Sequence, residues 1–164
     1  MKKTFLIATL LFVLVSNSFA QTSPKIQRAY AYYSLIMPGM IMQDDKGNPV
    51  NPGPTIDRVI YIECPGTKMP DVKSVLYNGI AYTPGVSAVT GAKVQVGKRS
   101  DNSKDIVLTA AKGNSFWKLD LLLSDDKTKG PRDVKKITIQ GKANKKAYNF
   151  HLYTEVQLFT ADRP

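Results

Sequence analysis

The sequence predicts an all-β protein: a single antiparallel β-sandwich, immunoglobulin-like or of a similar Greek-key kind, with a closed barrel as the alternative. Three observations carry this. Short runs rich in β-branched and aromatic residues recur about every ten positions, and the gaps between them are filled by Gly, Pro, Asn and Asp. No window of roughly eleven or more residues shows a clean helical period. Strands without crossover helices must bury their apolar faces against another sheet or against themselves.

The first element is not part of that fold. Residues 1–20 read as a secretory signal, with Lys2 and Lys3 as a positive start and 5–15 as an apolar run broken only by Thr9. Ser18-Phe19-Ala20 puts small residues at the two positions a signal peptidase reads. The run is too short for a membrane anchor, which takes roughly 20 apolar residues. Cleavage after Ala20 is expected to leave 21–164 as one domain, and to lower the net charge from +10 to +8 as the two lysines depart. No later stretch is apolar and long enough to span a membrane as a helix.

The strands follow in order. Strand 26–37 is apolar on both faces, Tyr30, Tyr32 and Ile36 against Ala31, Tyr33 and Leu35. That suits a central strand covered on both sides, or one with a face kept for a partner. A polar loop over 43–54 holds three prolines. Strand 56–64 aligns Ile60, Ile62 and Cys64 on one face, burying the only thiol and turning Glu63 outward. Strands 72–77 and 80–83 flank Asn78-Gly79, a dipeptide that tolerates positive φ at both positions, so Tyr77 should face Ile80 and Val75 should face Tyr82.

Strands 88–96 and 105–110 come next, the latter with Ile106 and Leu108 inward. Strand 115–123 aligns Trp117, Leu119, Leu121 and Leu123 on one side. Strands 134–142 and 147–160 form a hairpin around Ala143-Asn144-Lys145-Lys146. This places Ile139 opposite Phe150 and Ile137 opposite Leu152 on an apolar face. The other face then pairs Lys136 with Tyr153, Thr138 with His151 and Gln140 with Asn149. Glu155 alternates outward from its apolar neighbours.

Catalytic chemistry finds few residues to use. Nucleophilic catalysis needs a base beside the nucleophile, and His151 and Cys64 are the only residues of their kind. Parity places them apart, Cys64 among apolar neighbours and His151 on a polar face. There is no Gly-x-Ser-x-Gly, Ser-x-x-Lys or His-Glu-x-x-His string. Asp44/Asp45 and Asp125/Asp126 sit in turn-like loops, where Asp serves its own backbone. The chain therefore reads as non-enzymatic, a hydrolase using carboxylates or Cys64 being the alternative. No cofactor is expected. Met37, Met40 and Met42 have the soft thioethers that suit Cu(I), but packing is the expected role of such a short cluster.

Charge is the broadest functional signal. Between 93 and 146 stand 14 Lys/Arg against 6 Asp/Glu, while the rest of 21–164 is balanced. The candidate binding residues are Lys136, Lys142, Lys145, Lys146 and Tyr153 on the last hairpin. A basic face with an aromatic attracts anionic partners such as an acidic glycan, a lipid head group or an acidic protein. Nucleic acid is not expected, since no nucleic-acid-binding motif is present. The expectation is an exported binding or structural module of the cell envelope, periplasmic or extracellular.

Overall fold

A computed structural model describes residues 23–36, 42–50, 54–123 and 133–159. The expected signal segment 1–20 lies outside these, as do Met37 and Met40. Among the described residues the fold is all-β, sandwich- and barrel-like, without a helix. Twelve strands are formed: β1 (Arg28–Ile36), β2 (Met42–Gln43), β3 (Pro49–Val50), β4 (Thr55–Pro65), β5 (Asp71–Tyr77), β6 (Ile80–Ala88), β7 (Lys93–Lys98), β8 (Asp105–Thr109), β9 (Asn114–Leu123), β10 (Ile137–Ala143), β11 (Lys146–Leu152) and β12 (Val156–Gln157).

Eight of them make one curled sheet in the order β11-β10-β5-β6-β9-β4-β1-β12. Every neighbouring pair is antiparallel except β1 with β12. The two edge strands β11 and β12 are consecutive in the chain, with only Tyr153, Thr154 and Glu155 between them. A linker that short spans about 14 Å at most, so the sheet must curl until its edges approach. The single strand expected over 147–160 is thus split: its first part pairs with β10 and its last with β1.

The concave side holds the main core, with Ile60, Ile62, Cys64, Val75, Tyr77, Trp117, Leu119, Ile137 and Ile139 among its buried members. A second core lies on the outer side of β1, β4 and β9. There the β7–β8 ribbon lays Val94 and Leu108 over Tyr32, Tyr61 and Phe116. The ribbon is tied back to the sheet through an Arg99–Leu158 bridge and a Phe159 amide donating to the Lys98 carbonyl at 2.8 Å. β1 is therefore covered on both sides, Ala31 facing one core and Tyr32 the other.

Both argued hairpins have the expected register. Tyr77 pairs with Ile80 and Val75 with Tyr82, and Asn78 and Gly79 take φ of 49° and 93°. Ile139 pairs with Phe150, Ile137 with Leu152 and Thr138 with His151. The second turn is tighter than the four residues expected. Ala143 pairs with Lys146, and only Asn144 and Lys145 turn the chain, with φ of 52° and 66°.

β6 runs through Pro84 and Gly85 to Ala88, where a break was expected. Its pairing with β5 ends at Tyr82, while the β9 ladder continues through Pro84 opposite Leu121. Proline lacks a donor, and here the strand has only one neighbour left to satisfy. The expected 43–54 loop contains a small hairpin, β2 with β3. Asp44 closes it, its carboxylate accepting from the Lys46 and Asn48 amides and the Asn48 side chain. Those bonds hold the Asp44 carboxyl below its usual range.

The side chains of both glutamates expected in solvent are buried. The sheet's outer face at Glu63 is covered by the segment leading into β9. The Ala111 amide donates to Glu63 at 2.8 Å and the Asn114 side chain at 2.6 Å, with Arg28 3.8 Å away. Glu155 turns inward from the β11–β12 linker and meets Arg58.

Candidate basic groove

The half-barrel has two ends of different character. At one, β4 begins, β5 turns into β6, and β11 passes to β12. There Arg58 Nε donates to Glu155 at 3.0 Å, the two side chains being 3% and 4% exposed. Arg58 also donates to the Tyr82 hydroxyl at 3.2 Å, and its guanidinium lies 4.7 Å from the centre of the Tyr77 ring. Burial pushes the Glu155 carboxyl up, and Arg58 offsets this only in part. Burial likewise pushes up the Tyr77 and Tyr82 hydroxyls. This end is plugged by a buried ion pair set among tyrosines.

The opposite end is open. Three separate segments meet there around a groove of about 610 Å³: the stretch before β1, the β4–β5 loop and the β10–β11 turn. They bring Lys25, Lys68 and Lys146 to it, with Pro65, Asn144 and Tyr148. Topology explains the meeting. β10 is antiparallel to β5, so the end of β10 and the loop entering β5 share one end of the sheet. Among the described residues, no carboxylate lies within 4 Å of the Lys25, Lys68 or Lys146 ammonium groups. Asp71, paired in register with Lys142, contacts Lys73 at 3.4 Å.

The five residues singled out from sequence do not form one surface. Lys136 precedes β10 and Tyr153 follows β11, so the two are neighbours at the plugged end, where Tyr153 is 65% exposed. Lys136 is held by its backbone, which bonds both ways with Asn78. Lys142, Lys145 and Lys146 lie at the far end of the hairpin, roughly 20 Å away at the usual rise of a strand. Of these only Lys146 lines the groove. Lys142 falls on the outer face with Thr138 and Gln140, whereas Lys146, paired with Ala143, belongs to the other face.

Lys25 and Lys68 were not singled out. They stand 43 residues apart in sequence, and nothing local in either marks it. Strand order alone brings them together.

The other candidates separate. Cys64 faces the inner core with Ile137 and Ile139, and its thiol is pushed up to about 12 by burial and then by the Glu63 carboxylate. His151 is exposed on the outer face, its Nδ1 3.1 Å from the Thr138 hydroxyl. The sheet lies between them. Glu63 and Glu155 belong to opposite ends and opposite faces of the fold and make no carboxylate pair. No group of three or more His, Cys, Asp or Glu suited to a metal occurs among the described residues.

The chain matches no protein-family model, and comparison with curated proteins and with solved structures returns no match.

Proposed function

We propose that this protein is an exported, non-enzymatic binding module of the cell envelope, and that it holds an anionic component at the basic groove. One observation carries the reading: three lysines from three distant segments converge on one concavity, and among the described residues none of them has a carboxylate partner. Uncompensated like charges repel one another, so such a set lowers its own energy by taking up an anion. The turn beside it adds support. Lys145 occupies a left-handed backbone position where Gly or Asn is normally found, so a charge is kept there at a conformational cost. Lys145 and Lys146 retain their place in this reading, now with Lys25 and Lys68. Lys136 and Tyr153 form a separate patch.

Binding of the purified chain to anionic envelope material, measured at 50 and 300 mM salt, tests this. Affinity should fall steeply with salt, because exposed charges are screened beyond a Debye length of about 8 Å at physiological ionic strength. Lys145→Glu/Lys146→Glu should weaken binding by about tenfold or more. Binding that ignores both salt and these substitutions overturns the reading.

A further inference from the structure

The groove has walls as well as charge, and they narrow what it can hold. This inference rests on the anion-binding reading above and names the ligand class. Tyr148 lines the groove from β11, and its hydroxyl points away into the core. That oxygen is fully buried, near the Ile26 backbone and the Cys64 thiol but outside hydrogen-bond geometry, and burial pushes its pKa up. The ring, not the hydroxyl, is what the groove presents. Opposite it, Gly141 leaves the ring its place, since a Cβ there would stand 3.2 Å from two ring carbons. Pro24 and Pro65 add rigid apolar walls, and Lys25, Lys68 and Lys146 stand among them.

We propose that the groove binds an acidic sugar unit of a polysaccharide, such as a hexuronate or a phosphorylated hexose. Its ring carbons would pack on the Tyr148, Pro24 and Pro65 walls, and its anionic substituent would accept hydrogen bonds from the lysine ammonium groups. A bare inorganic anion would use the lysines and leave the apolar walls idle. A volume near 610 Å³ lies within the range of sites for small organic ligands and holds one or two sugar rings. An acyl chain needs an enclosed apolar slot, and this groove is open. A nucleic-acid strand needs successive aromatic platforms, whereas among the described residues the groove is lined by one aromatic, Tyr148.

The test titrates the ¹⁵N-labelled chain with four probes: tetragalacturonate, maltotetraose as an uncharged sugar, tripolyphosphate as a sugar-free anion, and tetraglutamate as an acidic peptide. Tetragalacturonate should shift the amides of Asn144, Lys146 and Tyr148 and bind at least about tenfold more tightly than each of the others. Lys146→Ala should weaken it several-fold. Ala147→Trp, at an exposed position lining the groove, should block tetragalacturonate while tripolyphosphate still binds. If tripolyphosphate or tetraglutamate binds as well as tetragalacturonate, the sugar assignment fails and anion binding stands. If maltotetraose matches tetragalacturonate, the charge requirement fails. If no probe moves these amides, both readings fail together.

Discussion

The two ends of the half-barrel solve the same problem in opposite ways. Each must close the open mouth of a curled sheet, and each carries cations. At the plugged end Arg58 is driven into the interior, where Glu155, Tyr82 and the Tyr77 ring compensate it. At the open end Lys25, Lys68 and Lys146 stay at the surface, and no carboxylate among the described residues reaches them. Even the turns differ. Asn78-Gly79 at the plugged end has the glycine its geometry favours, and the Asn78 side chain also staples the approach to β10 through Asp133, Lys135 and Lys136. Asn144-Lys145 at the open end has a lysine instead. One end is arranged for stability, the other in spite of it.

The strongest way to break this contrast is to remove one partner of the buried pair. Glu155→Ala removes the buried carboxylate to which Arg58 donates and should cost about 3–5 kcal/mol in urea unfolding. Lys68→Ala or Lys146→Ala should stay within about 0.5 kcal/mol of the parent. A loss below about 1 kcal/mol for Glu155→Ala would mean the plug does not hold that end.

The same pair has a pH signature with a definite sign. Burial raises the Glu155 carboxyl in the native state, so the folded chain takes up this proton at a higher pH than the unfolded chain. The contribution of Glu155 to stability is then most favourable below the ordinary glutamate value, and it declines as pH rises through the native one. Glu155→Gln, which resembles the protonated form, should remove that decline and cost far less than Glu155→Ala. Parallel pH–stability curves for the parent and Glu155→Gln would contradict it.

A middle-sized effect tests whether the open end is as tolerant throughout as its lysines are. Gly141→Ala would drive a Cβ into the Asp71 carbonyl oxygen and against the Tyr148 ring. The backbone atom cannot swing aside, so a cost of about 1–3 kcal/mol is expected in chemical unfolding. The groove should also deform, because Tyr148 lines it. An unchanged midpoint would show that β10 and β5 can part here without loss.

What could be read from the sequence follows from how local each cause is. Alternation placed Trp117, Leu119, Cys64, Ile137 and Ile139 in the core, since inward parity depends only on neighbours in one strand. Asn78-Gly79 set its own register for the same reason. Glu63 and Glu155 were misplaced because outward from a sheet means solvent only if nothing covers that face. At Glu63 the segment bearing Ala111 and Asn114 covers it, and at Glu155 the chain turns inward to cross between strands. The basic character of the last hairpin was legible as a charge surplus. Its division into Lys136 with Tyr153 at one end and Lys146 at the other required the length of β10. The meeting of Lys25, Lys68 and Lys146 required the order of the strands.

The smallest effect sharpens the contrast most, because stability and binding should move in opposite directions. Lys145 sits at φ 66°, a conformation that costs a residue with a Cβ about 1 kcal/mol and glycine almost nothing. Lys145→Gly recreates the dipeptide of the plugged end and should raise stability by up to about 1 kcal/mol. It also deletes one exposed positive charge beside the groove, which should weaken anion binding a few-fold and flatten its salt dependence. Thermal unfolding and a salt-dependent titration on the same variant measure both. If Lys145→Gly stabilises the fold and leaves binding untouched, the lysine is an accident of the turn. If it stabilises the fold and weakens binding, the strained lysine serves the groove, and the open end has given up stability for its charge.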